Sequence, residues 1–309
     1  MSLSDRHIPG VRVLEHEPLA PRTTWKIGGP ARWLCEVEAR AALVPLLTAL
    51  RDGGIPWAVL GNGSNVLVAD AGYRGAVLTL TGALAEVRLV RDVRPGAHHV
   101  VAAAGLSLTR LLRLAKDEAL SGLWVLGGVP GQVGGAVKMN AGTRWGEVAD
   151  TLLSVEIATA DGLFTLPAMA LRLAYRHAEL PSDAIVAGAT FEVGDADEAM
   201  RQKLDEVLAY RRASQPLQLP SCGSVFANPP GDAAGRLIEA AGLKGHQLGG
   251  LQISPQHANW IVNLGGGTAA DANALIALIR KQVKAAFGVT LRPEVQRFGD
   301  WPSDWEVVP

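Results

Sequence analysis

Residues 121–142 read SGLWVLGGVPGQVGGAVKMNAG. The stretch holds seven glycines, one proline and a single charged side chain, Lys138. Gly131, Gly134 and Gly135 leave the backbone bare, so N–H groups can approach a phosphate closely. No acid, histidine or cysteine lies within it. A loop of this kind suits holding the pyrophosphate of a dinucleotide better than reacting with it. The plainer alternative is a tight glycine turn between packed elements.

A second glycine loop shifts that balance. Gly61-Asn62-Gly63-Ser64-Asn65 follows an apolar run, Trp57 to Leu60, and precedes another, Val66 to Val68. The pattern predicts strand, glycine turn, strand. It is not a Rossmann fingerprint, because Val66 stands where the third glycine belongs and no helix follows. It is not a P-loop, because no Gly-Lys-Ser/Thr follows.

Composition sets the frame. The chain has 309 residues, 48% hydrophobic, with 29 basic and 30 acidic side chains. That length supports two or three domains with real cores. A formal net charge of −1 gives no reason to expect nucleic acid or a membrane surface as partner. An anionic ligand must then be met by local Arg, Lys and backbone N–H groups. Cys35 and Cys222 are far apart and have no metal-ligand spacing, which predicts two reduced thiols and no metal site. No signal-peptide core or long apolar run is visible, so a soluble cytoplasmic protein is expected.

Periodicity organises the rest. Leu43, Leu46, Leu47 and Leu50 fall on one helical stripe within 40–52, closed by Gly53. Strands are expected at 57–60, 66–68, 76–80, 85–90 and 98–104. A helix carrying Leu108, Leu111, Leu112 and Ala115 is expected to start at Ser107 and stop at Gly122. LLSVEIATA, Asp161-Gly162, LFTLP reads as a hairpin with a type I′ turn, and AIVAGATFEV as the next strand. Residues 195–213 read as a charged helix with Asp195 as N-cap and Glu198 three residues on. Further helices are expected at Ala233–Ala241 and after Thr268, capped against Asp271. The latter turns Ile276, Ile279, Val283 and Phe287 inward and ends at Gly288.

Five motifs occur in one order: GNGSN, GVPGQVGGAVKMNAG, YRHAEL at 175–180, SCGSVFANP at 221–229 and RPEVQRFG at 292–299. The order resembles that of the UDP-N-acetylenolpyruvoylglucosamine reductases, flavoenzymes of peptidoglycan synthesis. The resemblance runs from about Thr23 to Gly299 and is closest to the shorter, type II branch. It implies an α+β fold: a two-part FAD-binding module of the vanillyl-alcohol-oxidase/PCMH type plus a C-terminal α/β substrate-binding domain. The corresponding segments are 1–80 and 81–210 for the two FAD-binding subdomains, 211–300 for the substrate domain and 301–309 for a tail.

The resemblance also implies the chemistry. NADPH gives a hydride to non-covalently bound FAD, the enolpyruvyl double bond of UDP-N-acetylglucosamine enolpyruvate is reduced, and a serine protonates the neighbouring carbon. Ser224 matches that serine, Arg176 the arginine that stabilises the enolate, and Glu294 the catalytic glutamate near the same carboxylate. Cofactor contacts fall on Gly61, Asn62, Gly63, Ser64 and Asn65, on Pro130, Gly131, Val133, Gly134, Gly135, Ala136 and Asn140, and on Tyr175. Substrate contacts fall on Arg212, Gln215, Asn228, Lys244 and His257. Taken alone, each has a plainer reading: a turn serine, a surface arginine, a strand-edge carboxylate, a satisfied histidine.

Three positions depart from the family pattern. Ala178 stands where the family has serine, Ala227 where it has lysine, and Gln296 where it has arginine. Side chains alternate along a strand, so Gln296 should share the face of Glu294 while Arg297 points away. None of the three touches the expected catalytic residues, which predicts altered affinity rather than lost chemistry. Two other readings remain: a different FAD-dependent oxidoreductase of the same fold, and a non-catalytic relative that binds a UDP-sugar.

Overall fold

The computed structural model describes residues 3–143 and 145–301; of the expected tail at 301–309, only Trp301 falls among them. The chain forms two compact units, neither continuous in sequence. The first runs from the N-terminus to Glu15, then Trp33–Gly61 and Gly75–Arg211; the second comprises His16–Arg32, Asn62–Arg74 and the residues from Arg212 onward. Segments 16–32 and 62–74, expected within the first FAD-binding subdomain, therefore cluster with the C-terminal residues. Each unit has its own apolar core.

The first unit opens with β1 (Val11–Pro18), β2 (Pro30–Val37), α1 (Leu43–Asp52) and β3 (Trp57–Val59). The chain next forms β4 (Val66–Val68) and β5 (Tyr73–Leu80), and β1, β2, β5 and β3 make one sheet in that order. Alternation puts Trp33, Cys35 and Val37 of β2 in the core with Ala76, Leu78 and Leu80 of β5. The four leucines of α1 are fully buried against them, as the stripe predicts.

A second, antiparallel sheet follows. It contains β6 (Val87–Arg94), β7 (Ala97–Ala103), β10 (Leu152–Thr159), β11 (Gly162–Pro167) and β12 (Ile185–Gly194), in the order β11-β10-β12-β7-β6. Between β7 and β10 lie α2 (Leu108–Asp117), α3 (Val133–Lys138) and a small hairpin, β8 (Gly142–Thr143) with β9 (Gly146–Glu147). Ser107 starts α2 by accepting the Arg110 N–H at 3.3 Å. The helix ends at Asp117, not at Gly122, because Ala119 already takes a left-handed φ of 52°.

Two other local expectations give way to competing bonds. Thr159 pairs with Gly162, so the β10–β11 loop is Ala160-Asp161. Neither has the positive φ that a type I′ turn needs at both loop positions. Thr159 Oγ1 instead accepts the Asp161 N–H at 3.1 Å. Likewise α4 (Glu198–Ser214) starts after Asp195, which is not its N-cap. The Asp195 carboxylate accepts from His98 Nε2 at 3.0 Å, while His98 Nδ1 accepts the Asp92 N–H at 3.0 Å. His98 is buried, and a buried imidazole needs partners on both nitrogens.

The second unit contains α5 (Ala234–Ala240), β13 (Gln247–Leu248), β14 (Leu251–Ile253), β15 (Ile261–Asn263), α6 (Ala269–Phe287) and β16 (Gln296–Phe298). Strands β13, β14 and β15 form one sheet, and β16 pairs in parallel with β4. Thus the two strands flanking Gly61–Asn65 do not pair with each other: β3 joins β5, and β4 joins β16. Helix α6 begins with the expected capping box, Thr268 Oγ1 accepting from Asp271 N at 3.0 Å and Asp271 Oδ2 from Thr268 N at 3.2 Å. Ile276, Ile279 and Val283 are buried and Gly288 ends the helix at φ 71°. Phe287 is 40% exposed, against expectation, because the last turn runs past the core. Among the described residues, no helix is long and apolar enough to cross a membrane.

Two measurements follow from this packing. Thr268→Ala removes the cap and should cost about 1 kcal/mol, read as a lower urea midpoint with the native spectrum retained. Burial pushes the Cys35 thiol up to about 12 and raises that of Cys222 as well. At pH 8 neither should react with a thiol reagent until urea unfolds the protein, when both should titrate.

Candidate active site

In the first unit the long glycine motif folds into α3 and its flanks. Gly131 has φ 129°, and its carbonyl accepts the Leu108 N–H at 3.0 Å. Gly135 is helical, and a Cβ built on it would meet no atom within 4 Å. The backbone there lies bare. The amides expected beside it are occupied, however. Val133 N donates to Leu106 O at 2.9 Å, Gly134 N to Ala104 O at 2.8 Å, and Ala136 N to Gln132 O at 2.9 Å. Val133 and Ala136 point into the core. Gly135, with exposed Pro130 and half-buried Gly131, is the open part of the motif. Gly61 is also exposed, its missing Cβ lying 3.0 Å from Gln132 Oε1.

Asn140 is turned inward as well. It is wholly buried, and both ends of its amide bond backbone: Oδ1 accepts from Ala149 N at 3.0 Å and Nδ2 donates to Ala174 O at 3.1 Å. Tyr175 is half exposed, with the Arg176 guanidinium 4.7 Å from its ring centroid. Arg176 Nη2 donates to Gly142 O at 3.0 Å. The structure thus joins Arg176 to the end of the glycine motif.

In the second unit the segments carrying Ser224 and Glu294 run side by side. Glu294 N donates to Val225 O at 2.8 Å, and Ala227 N to Arg292 O at 3.0 Å, so RPEV runs beside GSVF. Gly223, at φ 79°, makes the bend that presents half-buried Ser224. Asn259, which the sequence did not single out, holds the bend. Its carbonyl accepts from Val225 N at 2.8 Å, its Oδ1 from Phe226 N at 2.9 Å, and its Nδ2 donates to Phe226 O at 2.8 Å.

The second glycine loop meets the same strand. Asn65 Nδ2 donates to Glu294 O at 3.2 Å, and Asn65 O accepts from Gln296 N at 2.9 Å. Gln296 Nε2 adds a bond to Glu294 O at 2.9 Å. Gly63, at φ 60°, packs where a Cβ would stand 2.6 Å from Thr23 Cα, so it is required by the fold itself. Asn62 is exposed and Ser64 half-buried.

The expected substrate residues divide. Gln215 is half-buried, and its Oε1 is turned inward without a hydrogen-bond partner. Asn228 is exposed and uses its Oδ1 at the start of α5, accepting from Ala234 N at 3.0 Å. Lys244 pairs with Glu239 at 2.7 Å. His257 Nδ1 accepts from Asn259 N at 3.2 Å, a turn-closing bond. Arg212 is exposed; its neighbour Arg211 is the inward one, with a buried, unpartnered Nε and a guanidinium pKa lowered by desolvation. Gly128 makes room for it, since a Cβ there would stand 2.6 Å from Arg211 Cδ. The signal was present in sequence: Arg211 lies four residues past Val207 and seven past Leu204, both buried.

Comparison with known proteins settles the family. Residues 215–298 match the model of the UDP-N-acetylenolpyruvoylglucosamine reductase C-terminal domain, and residues 32–165 match that of an FAD binding domain. A reductase of this name from Anaeromyxobacter dehalogenans is 48% identical over 296 residues, covering 94% of this chain and 87% of that one. The chain belongs to the UDP-N-acetylenolpyruvoylglucosamine reductase family. A second family member, from Myxococcus xanthus, is 45% identical and covers 94% of both chains. The crystal structure of the Thermus caldophilus reductase superposes with a TM-score of 0.78 at 37% identity, covering 94% of this chain and 99% of that one.

Against the family pattern, Ala178 and Ala227 are both buried, so the missing polar groups leave no solvent-facing gap. Gln296, expected to touch none of the catalytic residues, donates its amide to the Glu294 carbonyl, while Arg297 Nη2 donates to Asn273 Oδ1 at 2.7 Å and its guanidinium lies 5.2 Å from the Trp301 ring centroid. The bare backbone at Gly135 fits a family cofactor that presents a pyrophosphate. Gly135→Val should therefore fold, since the helix interior tolerates a side chain, yet purify with little flavin. Normal flavin absorbance in that variant would move the cofactor away from Gly135.

Proposed function

We propose that this chain reduces UDP-N-acetylglucosamine enolpyruvate to UDP-N-acetylmuramate with NADPH, in peptidoglycan precursor synthesis. The observation that carries the reading is the 2.8 Å bond from Glu294 N to Val225 O, which sets the family's glutamate motif beside its serine motif. FAD, held by the open backbone around Gly131 and Gly135 and by the Gly61–Asn65 loop, supplies hydride transfer when bound. Binding is non-covalent in this reading. Segments 1–80 and 81–210 serve the cofactor, and 211–300 serves the substrate. The enzyme works in the cytoplasm, where nucleotide sugars and NADPH are made.

The chain's own residues manage the charge and the proton. Adding a hydride to the enolpyruvyl double bond pushes negative charge onto the substrate carboxylate. Arg176 offers a fixed cation to that charge, pre-set by Gly142 and Tyr175, so little reorganisation is needed as it develops. Ser224 gives its hydroxyl proton to the adjacent carbon and regains one from solvent. A hydroxyl is a weak acid, but protonating an enolate is downhill enough to use it. Glu294, with its carbonyl held from two sides, keeps a carboxylate beside the serine segment.

Ser224→Ala separates the two halves of turnover. Bleaching of the flavin by NADPH should keep its wild-type rate, because no substrate proton moves there. Anaerobic recovery of colour on adding the enolpyruvyl substrate should slow by about 10²–10⁴. Substrate affinity should change little. An unchanged recovery rate would return Ser224 to a turn residue, and recovery only with some other acceptor would favour a different oxidoreductase of this fold.

A further inference from the structure

Asn140 lies in the glycine motif and was expected among the cofactor contacts, yet it has no exposed surface. Its amide is divided between two backbone groups, accepting from Ala149 N and donating to Ala174 O. Ala174 and His177 exchange both backbone hydrogen bonds, each at 3.0 Å. They close a tight turn whose tip is Tyr175-Arg176. Arg176 sits at φ 58°, a left-handed backbone that a non-glycine residue keeps only where its surroundings over-determine it.

The surroundings here are short and specific. Asn140 Nδ2 grips the base of the turn at the Ala174 carbonyl, and Gly142 O takes the Arg176 guanidinium at its tip. Asn140 itself has φ 39°, which turns the chain between these two grips. Only an uncharged side chain with a donor and an acceptor on the same short stem can serve both Ala149 and Ala174 in a buried place. Serine is too short, and an ionised aspartate lacks the donor.

We propose that Asn140 is a positioning residue for Arg176, tying that cation to the segment that carries the cofactor-facing glycines. The inference rests on the catalytic reading of Arg176. Asn140 contacts neither cofactor nor substrate. It acts by holding the turn, so its loss should cost chemistry rather than cofactor.

The test uses the full-length flavin-loaded enzyme as Asn140→Ala, as Arg176→Lys and as the double variant. Asn140→Ala should keep its flavin and its KM for NADPH while kcat falls about 10- to 100-fold, the cost of a misplaced catalytic group. In the Arg176→Lys background the same change should lower kcat by less than about threefold, because the group being positioned is already altered. Full additivity, or loss of flavin in Asn140→Ala, overturns the proposal. Wild-type kcat in Arg176→Lys alone would instead sink the catalytic reading of Arg176. If Asn140→Ala does not fold, Asn140→Asp answers. Its protonated carboxyl can donate to Ala174 O and its carboxylate cannot. Its kcat relative to wild type should rise as pH falls through the raised pKa of that buried acid. A flat ratio overturns the proposal.

Discussion

Three asparagine side chains, Asn65, Asn140 and Asn259, bond to backbone beside the residues assigned to the chemistry. Each bond is worth about 0.5–1.5 kcal/mol net, so none dominates stability. Their effect is on place. A carbonyl or N–H that is held by a side chain cannot swing to another partner, and the residue next to it inherits that fixity. Asn259 bonds both the N–H and the C=O of Phe226, copying the pattern of a strand neighbour where no strand is present. Loop backbone can then be as well determined as a sheet. This is what a site built on turns requires, because a shift of about 1 Å in a reacting group costs far more than a weak hydrogen bond.

The elements whose signals are local were legible. The stripe of α1, the serine cap of α2 and the capping box of α6 each need only a few neighbouring residues to be recognised. Asp195 followed by Glu198 carries the same local signal as a real cap, and there a distant imidazole, His98, takes the carboxylate instead. Helix α3 is hidden because two of its residues, Gly134 and Gly135, have low helix propensity and the motif around them reads as loop. Its packing against β12 and β7 supplies what propensity lacks.

For the candidate site, residue types were legible and their partners were not. Arg176, Ser224 and Glu294 stand in motifs that mark them. Which amides remain open within the glycine motif depends on Leu106 and Ala104, whose carbonyls consume the N–H groups of Val133 and Gly134. Asn259 gave no signal at all, since a side chain that bonds backbone 33 residues away leaves no periodic trace. Arg211 did leave one, in the spacing from Leu204 and Val207, and the neighbouring arginine obscured it.

The pairing of β4 with β16 has a consequence for how the chain reaches this state. Asn65 and the residue it holds, Glu294, are 229 positions apart. At a synthesis rate of about 5–20 residues per second, the early segment waits roughly 10–45 s on the ribosome before its partner exists. Residues 16–32 and 62–74 cannot complete their unit until the last strand emerges, whereas nearly all contacts of the first unit are available once Arg211 has been made. Nascent chains should therefore carry a folded first unit with two excursions whose partners come last, and the second of them keeps Val66, Leu67 and Val68 waiting for the C-terminal residues.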